Sequence, residues 1–372
     1  MPKSNSLIGV DIGTSHTKIV AINKSKKTYA LERYAILPSK GLASNILSDD
    51  EKQFKDAVNY LKVILKDSGF TQKNVIGVIP EHRIFSKVIT MPIIEGKAFH
   101  EAVEWEAEQH LPHSVSDVYL KYKILAENVE LKRDKKSDIV AAIKGKSQEN
   151  AKGTMDILLV ASPKTMIDKY LKFYKEAELE LDAMEPASLA CIRSLIPEEE
   201  PVSTIIIDYG YENANLFVIV DNHLQFVRTI NFGVLSLIRA ISQQLEFSHL
   251  QAADYLFTYG MSDDELNGKI KAAIEPVVKI VVDEIEKTRK YIEGRLHTDS
   301  SNTDKKIKRV ILSGGGALIP NLMVYFIQEV NLQVEYADPW KKVDLSQVGN
   351  VQFLESIGPL LSASLGAGLK ED

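Results

Sequence analysis

Val10-Asp11-Ile12-Gly13-Thr14-Ser15-His16-Thr17-Lys18 is the stretch on which the reading of this chain turns. Leu7 to Val10 is an apolar run of strand length, Asp11 to Ser15 has turn chemistry, and Lys18 to Ile22 resumes alternation. The pattern predicts a hairpin with a glycine at its tip. Gly13 allows a tight turn and a close approach of the backbone to a ligand. Successive amides in such a turn form a concavity for an anion. Thr14 and Ser15 add hydroxyl donors, and Lys18 adds a point charge suited to phosphate. Asp11 is an oxygen ligand suited to Mg²⁺, directly or through water. Asp-X-Gly is also the chemistry of an ordinary hairpin turn, so the motif does not stand alone.

A second stretch repeats it. Ile207-Asp208-Tyr209-Gly210-Tyr211-Glu212-Asn213-Ala214-Asn215 also follows an apolar run and precedes another. Facing each other, the two turns would hold a triphosphate and its metal, with Asp11 and Asp208 as metal ligands and Gly210 and Asn213 at the phosphates. A third stretch, Ile311-Leu312-Ser313-Gly314-Gly315-Gly316-Ala317, places its glycines between a strand and a helix. Gly314, Gly315 and Gly316 would clear side chains from a surface where a flat ligand or phosphate lies on the backbone; a flexible strand-to-helix loop is the plainer reading.

Outward from these motifs, the halves run in parallel: hairpin, strand, helices, then hairpin, strand, helices. Strands alternate with helices, which predicts an α/β class with an internal duplication of architecture. A length of 372 residues suggests two or three subdomains. The expected boundaries are 1–79 with 155–200 for a first domain, 80–154 for an inserted subdomain, and 201–372 for a second domain carrying nucleotide-binding elements. Phe54, Ala57, Val58, Leu61, Ile64 and Leu65 recur at helical spacing, and Ser248 with Gln251 has capping-box spacing. Pro276 is read as a kink or break in a helical region from Asp264 to Leu296. Asn128 to Asp138 is read as a charged hairpin tip.

Hydrophobic residues make up 45% and charged residues 26%, as in an ordinary globular protein, and the net charge is −6. No long basic run occurs, so no nucleic-acid partner is expected. No apolar run approaches the roughly 20 residues that cross a bilayer. The polar Met1 to Ser6 is read as excluding a signal peptide. The one cysteine, Cys191, allows no internal disulfide and is read as a buried structural thiol. His110 and His113 lack the surroundings of a zinc site. Phe99 and Trp105, on a helix of the inserted subdomain, are read first as core.

Order and spacing of the three motifs resemble the actin and sugar-kinase superfamily, whose Asp-Gly turns bind phosphates and whose later glycine cluster binds the adenosine. The extra fold between Val75–Ile79 and Met155–Ala161 resembles the subdomain of the cell-division protein FtsA and of its relatives, the PilM family of type IV pilus assembly proteins. Glu101-Ala102-Val103-Glu104-Trp105-Glu106-Ala107-Glu108-Gln109-His110-Leu111-Pro112 is similar to a PilM helix ending in an Ile/Leu-Pro step. Met184-Glu185-Pro186-Ala187-Ser188-Leu189-Ala190, Phe226 to Gly233, Ala337-Asp338-Pro339-Trp340 and Ser364 to Leu369 continue the likeness. The resemblance implies an actin-like ATPase fold with ATP and Mg²⁺ as cofactors, and a phosphate role for Gly233. It implies a cytoplasmic adaptor at the inner membrane that grips the N-terminal peptide of a bitopic PilN-like protein. The groove would lie between the first domain and the inserted subdomain, and nucleotide would set the angle between the halves. Further partners would be the pilus platform and motor components, with homo-oligomerisation left open.

The pattern departs around the sugar. The lysine that the family places near the ribose is Phe257 here, and Asp254 is the acidic partner. Binding of ATP with weak or no turnover is therefore the expectation. Glu185 is the one candidate for orienting a water, against the plainer reading of a helix N-terminal carboxylate. An FtsA-like division filament protein is the first alternative, set back because Gly366 to Asp372 holds no basic amphipathic helix. A small-molecule kinase or ATPase of the same superfamily is the second, set back for want of a polar substrate cluster.

Overall fold

The computed structural model of the chain describes residues 6–25, 28–94, 96–111, 114–129, 153–198, 202–297 and 306–371. Two compact units emerge: one runs to Ile84 and resumes at Thr165, and the other is Phe85–Lys164.

The larger unit contains both halves. In the first, β1 (Ser6–Ile12), β2 (His16–Lys24) and β3 (Tyr29–Pro38) form an antiparallel meander. β4 (Asn74–Ile79) and β8 (Glu180–Pro186) extend it in parallel beside β1. In the second, β9 (Thr204–Tyr209), β10 (Ala214–Val220) and β11 (His223–Ile230) form the same meander, extended in parallel by β12 (Arg309–Ser313) and β13 (Gln333–Tyr336). With β14 (Val343–Asp344) at one edge, the sheet orders are β14-β3-β2-β1-β4-β8 and β11-β10-β9-β12-β13, so apart from β14 the duplication expected from the motifs is present strand for strand. β9 and β10 bury nearly every side chain, as strands covered on both faces must.

Helices cover the sheets by amphipathic spacing. α2 (Glu51–Asp67) buries Phe54, Ala57, Val58, Leu61, Ile64 and Leu65, and Asp50 caps its N-terminus by accepting from the Lys52 amide. α4 (Lys164–Glu176) packs Tyr170, Phe173 and Tyr174 into the same core. In the second half, α6 (Val234–Leu245), α7 (His249–Tyr259) and α8 (Lys269–His297) enclose the core around Leu216, Leu237 and Ile274. Ser248 and Gln251 form the expected capping box at α7.

Three expectations are corrected here. Met155–Ala161 is not a first-domain strand: β7 (Gly153–Pro163) is the central strand of the smaller unit, between β5 (Phe85–Pro92) and β6 (Val118–Val129). The parallel neighbour of β4 is β8, whose Glu, Asp and Pro content hides it from hydrophobic periodicity. Nor does the second domain keep everything after 201. α11 (Gly358–Gly368) crosses back to the first half, where Leu361, Leu365 and Leu369 share a core with Val20, Ile22 and Leu31. A Cβ on Gly9 would meet Ser364 O at 1.9 Å, and one on Gly366 would meet Ala190 O at 1.8 Å, so the small residues exist to let backbones touch. The helix break lies not at Pro276 but at Leu266 and Asn267, whose φ values are 47° and 55°; α8 runs on through Pro276. Burial of Ala273, Ile274, Val278 and Val281 on both sides of the proline outweighs its roughly 3 kcal/mol helix penalty.

The smaller unit is a three-stranded antiparallel sheet with α3 (Lys97–Glu108) on its core, built from Ile89, Met91, Val103, Ala107, Ile157 and Leu159. Phe99 packs there edge-on to Tyr122, ring centroids 5.3 Å apart, whereas Trp105 is 64% exposed and is not core. Ile124 faces out, and a register shift between Ile124 and Ala126 turns Leu125 inward instead. Most of the charged tip, residues 130–138, lies outside the described residues.

Candidate functional site

Both turns open on one cleft of the larger unit, with a volume of about 540 Å³. Asp11, Gly13, Thr14, Ser15 and Lys18 line it from the β1–β2 turn, and Asp208, Gly210 and Asn213 line it from the β9–β10 turn. Gly314 and Gly315 line it from the loop after β12.

The two turns share one hydrogen-bonded frame. Gly13 N donates to His16 O at 3.2 Å, and Gly210 N donates to Asn213 O at 2.9 Å. A Cβ on either glycine would lie within 3 Å of that same carbonyl oxygen, 2.8 Å at Gly13 and 2.9 Å at Gly210. In each turn the aspartate pairs across the ladder with the residue seven positions on, Asp11 with Lys18 and Asp208 with Asn215. The first turn is braced from the end of β3, where Ser39 Oγ donates to Gly13 O at 2.6 Å and Ser39 N to Ser15 O at 2.8 Å. The second is braced by the start of α6, where the amides of Val234 and Leu235 donate to the carbonyls of Gly210 and Tyr211. Among the described residues, the amides of Thr14, Ser15, Tyr211 and Glu212 donate to no backbone carbonyl, and all four residues line the cleft. They are the donors such a turn offers an anion.

Electrostatics separate the two aspartates. Lys18 Nζ lies 2.8 Å from Asp11 Oδ2, with 17% and 15% of the two side chains exposed. Burial works to lower the Lys18 pKa, yet Asp11 beside it and Asp208 further off hold it above the ordinary lysine value. Asp208 goes the other way. Burial pushes its pKa up to about 6, against the pull of Lys18 and the Asn215 amide, with Asp11 adding to the rise. Thr229 Oγ1 donates to Asn215 Oδ1 at 2.8 Å, which leaves the Asn215 amide nitrogen to donate to Asp208. His16 is held below the usual histidine range by burial and then by Lys18, so it is neutral at pH 7.

Three sequence candidates act from behind the surface. Gly316 does not line the cleft; its missing side chain admits the Tyr209 ring, whose Cδ1 would lie 2.4 Å from a Cβ. Gly233 does not line it either, and leaves room for the second turn, with Tyr211 O 2.5 Å from a would-be Cβ. Glu185 is buried at 4% exposure with its oxygens 2.5 and 2.7 Å from the Arg193 guanidinium, and is absent from the lining. That pairing occupies the carboxylate that sequence reading offered for orienting a water. Gly314 matters twice. Its φ is 80°, and a Cβ there would come within 2.7 Å of Asp208 Oδ1.

Residues that the motifs did not reveal complete the cleft. Glu81, His82 and Arg83 form a short 3₁₀ turn at the end of β4, and Glu81 Oε1 accepts from the Ser188 amide at 2.8 Å. The signal available was position, the carboxyl end of a buried parallel strand beside β1, where ligands of α/β sheets gather. Ile238, Ala253, Phe257 and Leu360 add apolar side chains to the lining, so the position where the family resemblance expects a lysine presents an aromatic ring.

Two carboxylates beside unpartnered amides fit a magnesium–phosphate group, since Mg²⁺ is commonly held by one or two carboxylates with phosphate oxygens completing its shell. Among the described residues no group of three or more His, Cys, Asp or Glu side chains forms a metal site of the protein's own.

Two matching halves, each a meander extended by parallel strands and closing on a shared cleft, define the class as the actin-like ATPase fold. The solved PilM–PilN type IV pilus biogenesis complex is similar to this chain with a TM-score of 0.77 at 20% identity, covering 99% of this chain and 98% of that one. The ethanolamine utilization protein EutJ of Carboxydothermus hydrogenoformans is similar with a TM-score of 0.53 at 13% identity, covering 98% and 89%. The family model of the type IV pilus assembly protein PilM matches residues 9–371, and the chain belongs to that family.

Proposed function

We propose that this protein is an ATP-binding adaptor of type IV pilus assembly that grips the N-terminal cytoplasmic peptide of a PilN-like membrane protein. The observation that carries the reading is the family match from residue 9 to 371, with a likeness of equal extent to a PilM structure solved with PilN. In the cleft, the free amides of the two turns and the Lys18 charge would hold the phosphates, and Asp11 and Asp208 would supply carboxylates to Mg²⁺. Gly314, Gly315, Ile238, Phe257 and Leu360, which also line the cleft, would be left for the base and sugar. Phe257 offers a ring face in place of a hydrogen bond to the ribose, which favours stacking over sugar recognition. The reading is one of binding: Glu185 is engaged by Arg193, and no hydrolytic base is assigned.

No helix among the described residues is long and apolar enough to cross a membrane. In this reading the protein reaches the inner membrane through its partner. The test is fluorescence anisotropy of a labelled synthetic peptide carrying the N-terminal sequence of the PilN-type protein from the same genome, with and without Mg-ATP. Saturable binding is expected; no binding in either condition overturns the adaptor reading. Nucleotide released on denaturing the purified protein, resolved by chromatography, tests the cleft separately.

A further inference from the structure

The first turn brings a cation of the chain's own to the carboxylate at which a divalent ion is expected. Lys18 faces Asp11 across the β1–β2 ladder, and its ammonium sits 2.8 Å from Asp11 Oδ2. The same ammonium interacts with Asp208 of the opposite turn, so it bears on both candidate metal ligands. The turn closes on it from one side, where a methyl group on Gly13 would come to 3.0 Å from Nζ, and the other side opens on the cleft. Two cations cannot share one carboxylate at such range in a buried site without strong repulsion.

We infer that Lys18 is a tethered counter-ion that keeps a divalent metal off Asp11 and Asp208 until a phosphate draws the ammonium away. The inference rests on the nucleotide reading above and adds an order to it. A phosphate oxygen offers the ammonium a new anion within reach of a lysine side chain. Asp11 is then released to the metal, so every charge keeps a partner through the exchange. A cleft of bare carboxylates takes metal first; this one takes phosphate first.

The experiment measures Mn²⁺ alone, by the electron paramagnetic resonance signal of the free ion, against wild type and Lys18→Met without nucleotide. Lys18→Met is expected to bind Mn²⁺ at least tenfold more tightly than wild type. The double variant Lys18→Met/Asp11→Asn is expected to return to the wild-type level, and Lys18→Arg, which keeps the charge, to follow wild type. Affinities of wild type and Lys18→Met within twofold of each other overturn the inference. Should Lys18→Met not fold, thermal shifts on the wild-type protein decide. Mg²⁺ alone is expected to leave Tm unchanged, ADP with EDTA to raise it, and ADP with Mg²⁺ to raise it further. A rise with Mg²⁺ alone, or a rise with ADP that needs Mg²⁺ entirely, overturns the counter-ion role. No rise with ADP and Mg²⁺ together overturns the nucleotide reading instead.

Discussion

The turns Asp11–Lys18 and Asp208–Asn215 have the same length, the same glycine position, the same i to i+3 hydrogen bond and the same cross-ladder register. They differ in what faces the aspartate. In the first turn it is an ammonium 2.8 Å away. In the second it is an amide, and the burial of Asp208 goes largely uncompensated, which is why its pKa rises to about 6. The next strand follows suit. Thr229 lies opposite Asn215 and fixes its amide, whereas Ile36 lies opposite Lys18, which has no orientation to fix. One backbone frame thus serves two jobs, an ion pair on one side and a poised carboxyl on the other.

The comparison breaks most sharply if the two aspartates respond alike to neutralisation. Asp11→Asn strands the Lys18 ammonium in a largely buried site and is expected to destabilise the fold by about 3 kcal/mol at pH 7. Urea denaturation measures it. Asp208→Asn is expected to act with the opposite sign, stabilising by about 2 kcal/mol at pH 7, because it removes a buried charge that folding disfavours. The sign follows from linkage. The folded pKa of Asp208, about 6, lies above the ordinary 3.8, so the folded state holds the extra proton. Its contribution therefore favours folding most below pH 4 and is lost as pH rises through 6. Asp208→Asn should remove that part of the decline between pH 4 and 6. A loss of stability for both variants would mean that the second aspartate is also held as a charge.

The turn glycines sharpen the contrast at smaller scale. Ala at Gly13 meets both the His16 carbonyl and Lys18 Nζ, whereas Ala at Gly210 meets the Asn213 carbonyl alone. Gly13→Ala should cost about 2 kcal/mol and Gly210→Ala nearer 1 kcal/mol, by thermal denaturation. Smallest is Thr229→Val, expected to cost about 1 kcal/mol for the lost hydrogen bond. It should also move the Asp208 pKa further upward as Asn215 loosens, read from the carboxyl carbon shift by NMR.

Much of this was legible because it is local. Turn chemistry next to apolar runs marked both hairpins, and helical spacing marked the buried face of α2. β8 escaped because Glu180, Asp182, Glu185 and Pro186 give it no apolar rhythm; its place is set by β4 alongside it. Trp105 was misplaced because periodicity shows that a helix has an apolar side but not where that side ends; Val103 and Ala107 fill the core and Trp105 falls beyond them. Glu81 and Phe257 join the cleft from elements that no short motif links to the turns.

The sequence by itself determined the two Asp-X-Gly turns, the alternation of strands and helices and the duplicated plan. Those depend on residue type and short spacing. Only the tertiary structure decided that β7 belongs to the smaller unit, that α11 returns to pack on the first half, and that Lys18 closes on Asp11 while Asp208 is left with Asn215. Strand partners, helix returns and the balance between burial and charge depend on groups brought together from distant positions. A buried carboxylate takes its character from those neighbours, not from its own place in the chain.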